Sequence, residues 1–529
     1  MTAAAITADG PPLLRVAGIT KHFGPLKAND DITLDLRRGE VLALLGENGA
    51  GKSTLVSILF GHYRADAGTI QIDGKPLPPG DTQASLKAGV GMVHQHFTLA
   101  DNLSVLDNVL IGAEPLWQPF TRRAEARARL LETASRYGLQ VDPDARVGEL
   151  SVGERQRVEI LKVLVPIGRR AGARLLILDE PTAVLTPQES QALFATLKQL
   201  VGQGLAVIFI SHKLDEVLAI AQRIAVLRSG RLVAQLPAAG ATKAQLAQAM
   251  VGRSVPEPSR RTQLAAPDVV CSLREVTVRG RGARPQLDRI SLDLRAGEVV
   301  AVAGVAGNGQ QALADLLHGL VAPDAGTLMV NGAALPARPR AWVRAGVARI
   351  PEDRQAVGVI GDLPLWENAV LERHADPPFA RHGIVQRGAA RAFAERLVKR
   401  FGVRGTEAAG VSTTTRALSG GNMQKLILGR ALMDGPPGAR TAPTRLIVAD
   451  QPTWGLDVGA VAFVHQQLLD ACAGGAALLL ISEDLDEIFA LADRIAVMHQ
   501  GSLSPARPAA RWTLQAIGLA MAGGGAHAA

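Results

Sequence analysis

The chain's 529 residues are enough for two to four folding units at roughly 100–200 residues each. With 47% hydrophobic and 20% charged residues it has the balance of a folded protein, and its two cysteines are too few for a disulfide framework or a zinc site. A net charge of +8, with no basic block and only 3% aromatics, is a weak case for nucleic acid, and no nucleic-acid partner is expected.

Met1–Pro12 has no basic stretch followed by an apolar core, so it is not a secretory signal, and 1–12 is expected to be a flexible end. The first strong element is Val41–Leu45, apolar at every position, as a strand buried on both faces of a parallel sheet must be. It runs into Gly46-Glu47-Asn48-Gly49-Ala50-Gly51-Lys52-Ser53, a glycine-rich phosphate loop with a helix opening at Lys52. The glycines let backbone N–H groups turn inward around a phosphate, and the helix N-terminus adds partial positive charge. Lys52 supplies a point charge to the β and γ oxygens, the Ser53 hydroxyl is a Mg²⁺ ligand, and Thr54 completes the candidate set.

Farther on, Leu150-Ser151-Val152-Gly153 precedes a helical pattern over Gly153–Val165. The apolar Leu175–Leu178 strand ends in Asp179-Glu180, two acids at the carboxyl edge of the sheet, where ligands bind in open α/β folds. Asp179 is the expected Mg²⁺ partner, and Glu180 is placed to act as general base on water. A helical stretch at Gln188–Val201 and a strand at Ala206–Ile210 follow, the latter leading into Ser211-His212.

The chain then repeats itself. Gly46, Leu150 and His212 have counterparts at Gly304, Leu418 and Glu483, at offsets of 258, 268 and 271 residues. Two tandem domains are expected, at 13–253 and 268–523, joined by a Pro- and Arg-rich linker at 254–267 and followed by a flexible end at 524–529. The longest uncharged apolar runs, such as Cys472–Ser482, fall far short of the roughly 20 residues that cross a bilayer. The chain is not expected to span a membrane, and a cytoplasmic setting is expected from the low cysteine count.

These residues resemble ATP-binding-cassette (ABC) ATPases over nearly the whole chain. Leu150-Ser151-Val152-Gly153-Glu154-Arg155-Gln156 and Leu418-Ser419-Gly420-Gly421-Asn422-Met423-Gln424 are similar to the signature of that family, Gln95 to its Q-loop glutamine, His212 to its switch histidine, and Phe23 to the aromatic that stacks on adenine. The resemblance implies an α/β fold made twice, each copy a mostly parallel sheet with an antiparallel β subdomain and a helical subdomain. It also implies ATP and Mg²⁺ as ligands. The catalytic group would be Lys52, Gln95, Glu180 and His212, with Mg²⁺ held by Ser53, Gln95 and Asp179.

The second half departs from this pattern. Gln310 and Gln311 stand where Lys52 and Ser53 stand, Gln451 replaces Glu180, and Glu352 and Glu483 replace Gln95 and His212. The signature is degraded the other way: Ser419, Gly420 and Gly421 are close to the family pattern, whereas the first half has Val152 in place of a glycine. Asp457 is likewise retained where the first half has Thr186. Family resemblance implies an intramolecular head-to-tail pairing of cassettes, which gathers every intact part into one composite ATP site and every weakened part into the other.

Tandem cassettes with one silent site, together with Pro351-Glu352-Asp353-Arg354 and Gln451-Pro452-Thr453-Trp454-Gly455-Leu456-Asp457, resemble the importer family for simple sugars and nucleosides, the nucleoside branch above all. That implies two transmembrane permease subunits, a substrate-binding lipoprotein, and peripheral attachment to the cytoplasmic face of a bacterial inner membrane. The competing expectation is a soluble tandem-cassette ATPase acting on ribosomes. Such proteins resemble one another in a long charged linker and two complete sites, which this chain lacks.

Overall fold

The computed structural model describes residues 11–94, 97–113, 122–167, 172–182, 185, 187–211, 213–252, 267–280, 284–305, 307–434, 443–521 and 523. The chain divides into two compact units, Met1–Val255 and Pro256–Ala529. Gln95, His212, Ala183, Val184 and Thr186 lie outside the described residues, as do the expected linker up to 266 and the expected flexible end at 524–529.

The first unit is built on a sheet in which Val90–Val93, Leu175–Asp179, Ala206–Ile210, Val41–Gly46 and Arg223–Arg228 are neighbours in that order, all parallel. Arg231–Pro237 adds an antiparallel edge. The inner strands are buried at every position of Val41–Gly46 and Ala206–Ile210, which explains their unbroken apolar sequences: each face is covered, so no polar alternation is tolerated. An antiparallel sheet of Leu14–Phe23, Leu26–Leu36, Ala67–Ile72 and Lys75–Pro76 packs into the same core. Helices Val105–Leu110, Arg123–Tyr137 and Val152–Leu164 form the helical part.

The second unit repeats this plan. Its parallel order is Val347–Ile350, Leu446–Asp450, Ala477–Ser482, Val299–Ala303 and Arg494–His499, with short antiparallel strands at the far edge. Its antiparallel sheet is Leu287–Arg295, Val269–Val278 and Ala325–Val330, and its helical part is Leu365–Val370, Arg387–Phe401 and Gly420–Leu432. A buried asparagine pins the helical part in both units: Asn108 exchanges two hydrogen bonds with the Ala100 backbone, as Asn368 does with Ile360. Cys271 and Cys472 are both buried.

Candidate nucleotide site

The phosphate loop of the first unit sits between the Val41–Gly46 strand and the Lys52–Phe60 helix. Gly51 holds φ at +101°, and a Cβ there would approach the Ala28 carbonyl oxygen to 2.3 Å, so only glycine fits. Lys52 is buried, and its Nζ donates to the carbonyls of Gly46 (2.7 Å) and Glu47 (3.1 Å), which curls the chain around the ammonium. Ser53 is exposed on the first helical turn beside it. Gly46, Glu47, Asn48, Gly49 and Ala50 therefore frame a cation at a helix N-terminus, an arrangement suited to phosphate.

Parallel register brings in the acids. Asp179 pairs with Ile210, and Ile210 with Leu44, so Asp179 lies two strands from the loop at the same edge of the sheet. Burial raises the Asp179 carboxyl above its ordinary value, the Glu180 charge raises it further, and Lys52 opposes both. Glu180 sits at φ +48°, its N–H donating to the Ile210 carbonyl at 2.9 Å; this left-handed kink ends the strand and turns the side chain's backbone out of the sheet. Phe23 is exposed beside Tyr63, with ring centroids 5.5 Å apart. The end of its strand is tied down by Asp66, which accepts from Lys21 Nζ (3.0 Å) and the His22 N–H (2.6 Å).

The counterpart in the second unit keeps the turn and loses the charge. Gly309 holds φ +114° against the Gln286 carbonyl, as Gly51 does against Ala28. Gln310 folds into its own loop, Nε2 donating to the Val305 carbonyl (2.8 Å) and Oε1 accepting from the Asn308 N–H (3.1 Å). The side chain thus occupies a backbone donor that a phosphate loop would offer to its ligand. Gln451 repeats the kink of Glu180 at φ +46°, its N–H bonded to the Ile481 carbonyl. Without a lysine, burial and the charges of Glu352, Asp315 and Glu483 push the Asp450 carboxyl up to about 7.

The two signature helices differ in the reverse sense. Ser151 closes a capping box: its Oγ lies 2.7 Å from Glu154 Oε2 and its N–H donates to the same carboxylate at 2.9 Å. These hydrogen bonds hold the Glu154 carboxyl below its usual range, so a negative charge stays on the helix end. At Ser419 no side chain caps the helix. Asn422 replaces the glutamate, its Nδ2 donating to Ser419 Oγ at 2.9 Å, so the N–H groups of Gly420 and Gly421 open a helix end with no acid on it.

Reasoning from sequence passed over Glu216 and Glu487. Each is buried and accepts from two hydroxyls, Thr182 (2.7 Å) and Ser211 (2.8 Å) in the first unit, Thr453 (2.7 Å) and Ser482 (2.6 Å) in the second. The pair pins the loop after the acidic strand to the end of the neighbouring strand. Its signal was the acid retained in both copies of the Ser211–Glu216 and Ser482–Glu487 repeat. His465 Nε2 donates to Glu487 Oε1 at 3.1 Å and is a packed, buried group.

The sequence profile of the ABC transporter family matches residues 29–183 and 287–453. The chain is 39% identical to the nucleoside import ATP-binding protein NupA of Lactococcus lactis subsp. cremoris, over 97% of this chain and 98% of that one. It is 41% identical to the glucose import ATP-binding protein TsgD13 of Haloferax volcanii, over 97% and 96%. Among solved structures, an archaeal ribosome recycling factor, aABCE1, has the same fold at a TM-score of 0.59 and 18% identity, covering 93% of this chain and 90% of that one.

Proposed function

The chain belongs to the ABC transporter family, as an import ATPase with two cassettes, and on that premise we propose that it hydrolyses ATP at one composite site. That site would join Lys52, Ser53, Asp179 and Glu180, with Gln95 and His212, to the open helix end at Ser419, Gly420 and Gly421. The observation that carries the reading is the opposed damage: Gln310 fills the phosphate loop of the second cassette, and Glu154 caps the signature helix of the first. Head-to-tail pairing assigns both defects to one site and leaves the other whole.

In the intact site Lys52 binds the β and γ oxygens, and Phe23 offers an exposed ring to adenine. Glu180 takes a proton from the attacking water, and the open helix end stabilises charge on the γ-phosphate. Mg²⁺ fits Ser53, Gln95 and Asp179: these are hard oxygen donors, and the Asp179 carboxyl is raised by burial beside Glu180, a strain that a cation relieves. Among the described residues no group of three or more His, Cys, Asp or Glu could hold a metal by itself, so phosphate and water would complete the shell. Bound there, the ion would neutralise phosphate charge.

No helix among the described residues is long and apolar enough to cross a membrane. We assign the chain two permease subunits and a substrate-binding lipoprotein as partners, at the cytoplasmic face of the bacterial plasma membrane. A nucleoside is the favoured solute, supported by the likeness to the Lactococcus protein. The ribosomal alternative has only a shared fold behind it. The test is vanadate trapping in the complex with its permeases, which should retain one nucleotide per chain, on the Lys52 loop. Two trapped nucleotides, or turnover stimulated by glucose and not by nucleosides, would overturn the corresponding half of the reading.

A further inference from the structure

Arg354 follows the acidic Glu352-Asp353 pair and opens a short wide turn, Arg354–Gly358, whose start is capped by Asp353. Its side chain is half-buried. One terminal nitrogen donates to the Trp454 carbonyl, and the other is buried with no hydrogen-bond partner among the described residues. Two glycines make the space. A Cβ built on Gly420, the first residue of the signature helix, would lie 3.3 Å from one terminal nitrogen, and one built on Gly455 would lie 3.4 Å from the other. The guanidinium is therefore clamped between the start of that helix and the loop leading to Asp457. Asp457 in turn caps the Val458–Ala473 helix through the Ala460 N–H at 2.8 Å.

The first cassette has neither the arginine nor the two glycines. Phe97 stands where Arg354 stands, Val152 where Gly420 stands, and Val184 where Gly455 stands. These three separated positions differ as a set between the two cassettes. A planar guanidinium can bond the Trp454 loop through one terminal nitrogen while the other packs flat against the start of the signature helix.

We propose that Arg354 is a positioning residue for hydrolysis: it locks the Ser419 helix end and the Trp454–Asp457 loop in one register, so that both meet the terminal phosphate of ATP held by the other cassette. The inference rests on the composite-site reading above. A shift of about 1 Å in groups that contact the reacting phosphate costs on the order of 10²-fold in rate.

The experiment uses the full chain with its permeases. R354A should lower kcat roughly ten- to hundred-fold, leaving the KM for ATP within about twofold, because Lys52 still binds the phosphates. R354K, which keeps charge but not the fork, should behave like R354A, and it covers the case in which the alanine variant does not fold. G420V introduces the first cassette's side chain into the clamp and should give a similar loss. The R354A/G420V double variant should lose no more than the worse single variant. Full kcat in R354A and R354K, or multiplicative losses in the double variant, would overturn the proposal. K52A separates the two levels of argument. If it abolishes turnover while R354A does not change it, only the Arg354 inference fails; if K52A is also active, the composite-site reading fails.

Discussion

The two cassettes share a strand order, a glycine-shaped loop and even their backbone irregularities. Left-handed residues recur in pairs, Asp31 with Arg289, Asp73 with Asn331, Glu180 with Gln451, and Ser229 with Gln500. A non-glycine residue at such φ costs on the order of 1–2 kcal/mol, so the fold demands these kinks whatever the side chain does. What differs is chemistry placed on an unchanged frame. Lys52 against Gln310, Glu180 against Gln451 and Glu154 against Asn422 alter charge without altering the path of the chain. The comparison teaches that the cassettes part by specific substitutions in the phosphate loop, at the acidic strand end and on the signature helix, while the second cassette keeps its helix N-terminus and its loop glycines.

The strongest way to break this contrast is at the base and the cation. Glu180→Gln or Lys52→Ala should reduce phosphate release by roughly 10²–10⁴-fold, equivalent to about 3–5 kcal/mol of barrier. An equal loss from the matching changes at Gln451 or Gln310 would show that both cassettes cleave ATP.

Next in size is the pair of signature serines, which should fail in opposite ways. Ser419→Ala removes a hydroxyl at an open helix end and should lower turnover roughly tenfold or more, with little change in melting temperature, since Ser419 makes no cap. Ser151→Ala opens a capping box and should cost about 1 kcal/mol of stability with turnover nearly intact. Calorimetry and phosphate release on the same two variants read both quantities. Reversal of the pattern would remove the case for a single productive pairing.

Much of this was legible before any coordinates. Unbroken apolar runs such as Val41–Leu45 identified parallel strands because burial on two faces leaves no polar register, and the phosphate loop has a spacing that few other structures require. The helix expected over Gln188–Val201 spans Pro187–Gly202, and that expected over Gly153–Val165 spans Val152–Leu164. Less legible were contacts whose partners lie far apart in the chain. Nothing local links Arg354 to Trp454, 100 residues away, or Thr182 to Glu216. The plug made by Gln310 was also hidden, because a glutamine in place of lysine reads as a missing charge and not as a side chain folded back onto its own loop.

A smaller effect sharpens the comparison through pH. Asp450 has its folded pKa raised to about 7 from an ordinary value near 3.8, so between these values the folded chain binds more protons than the unfolded one. Its contribution to stability is present at the acid end of that window and is lost as pH rises through about 7. His318, buried and held neutral down to about 3, gives the opposite slope below 6.5, so the raw melting curve mixes the two. The difference between wild type and Asp450→Asn isolates the carboxyl: the variant should gain melting temperature relative to wild type as pH rises from 5 to 8. Gln310→Lys should shrink that difference, since a lysine would hold Asp450 ionised as Lys52 acts on Asp179.

The smallest expected change is the most telling for the proposal that the second cassette does not hydrolyse ATP. Gln451 occupies the general-base position with an amide, which cannot accept the proton of an attacking water, and its Oε1 is engaged by the Glu483 N–H at 3.4 Å. Gln451→Ala should therefore leave phosphate release within about twofold of wild type, because no chemical step passes through that side chain. Its backbone keeps φ near +46° for the same reason that Glu180 keeps +48°: the N–H must reach the neighbouring strand end at Ile481 or Ile210. Gln451→Gly, which accepts that φ freely, should then raise the melting temperature slightly at unchanged turnover, whereas Glu180→Gly should relieve the same strain and abolish activity. One backbone requirement with two chemical outcomes separates what the fold needs at this position from what hydrolysis needs.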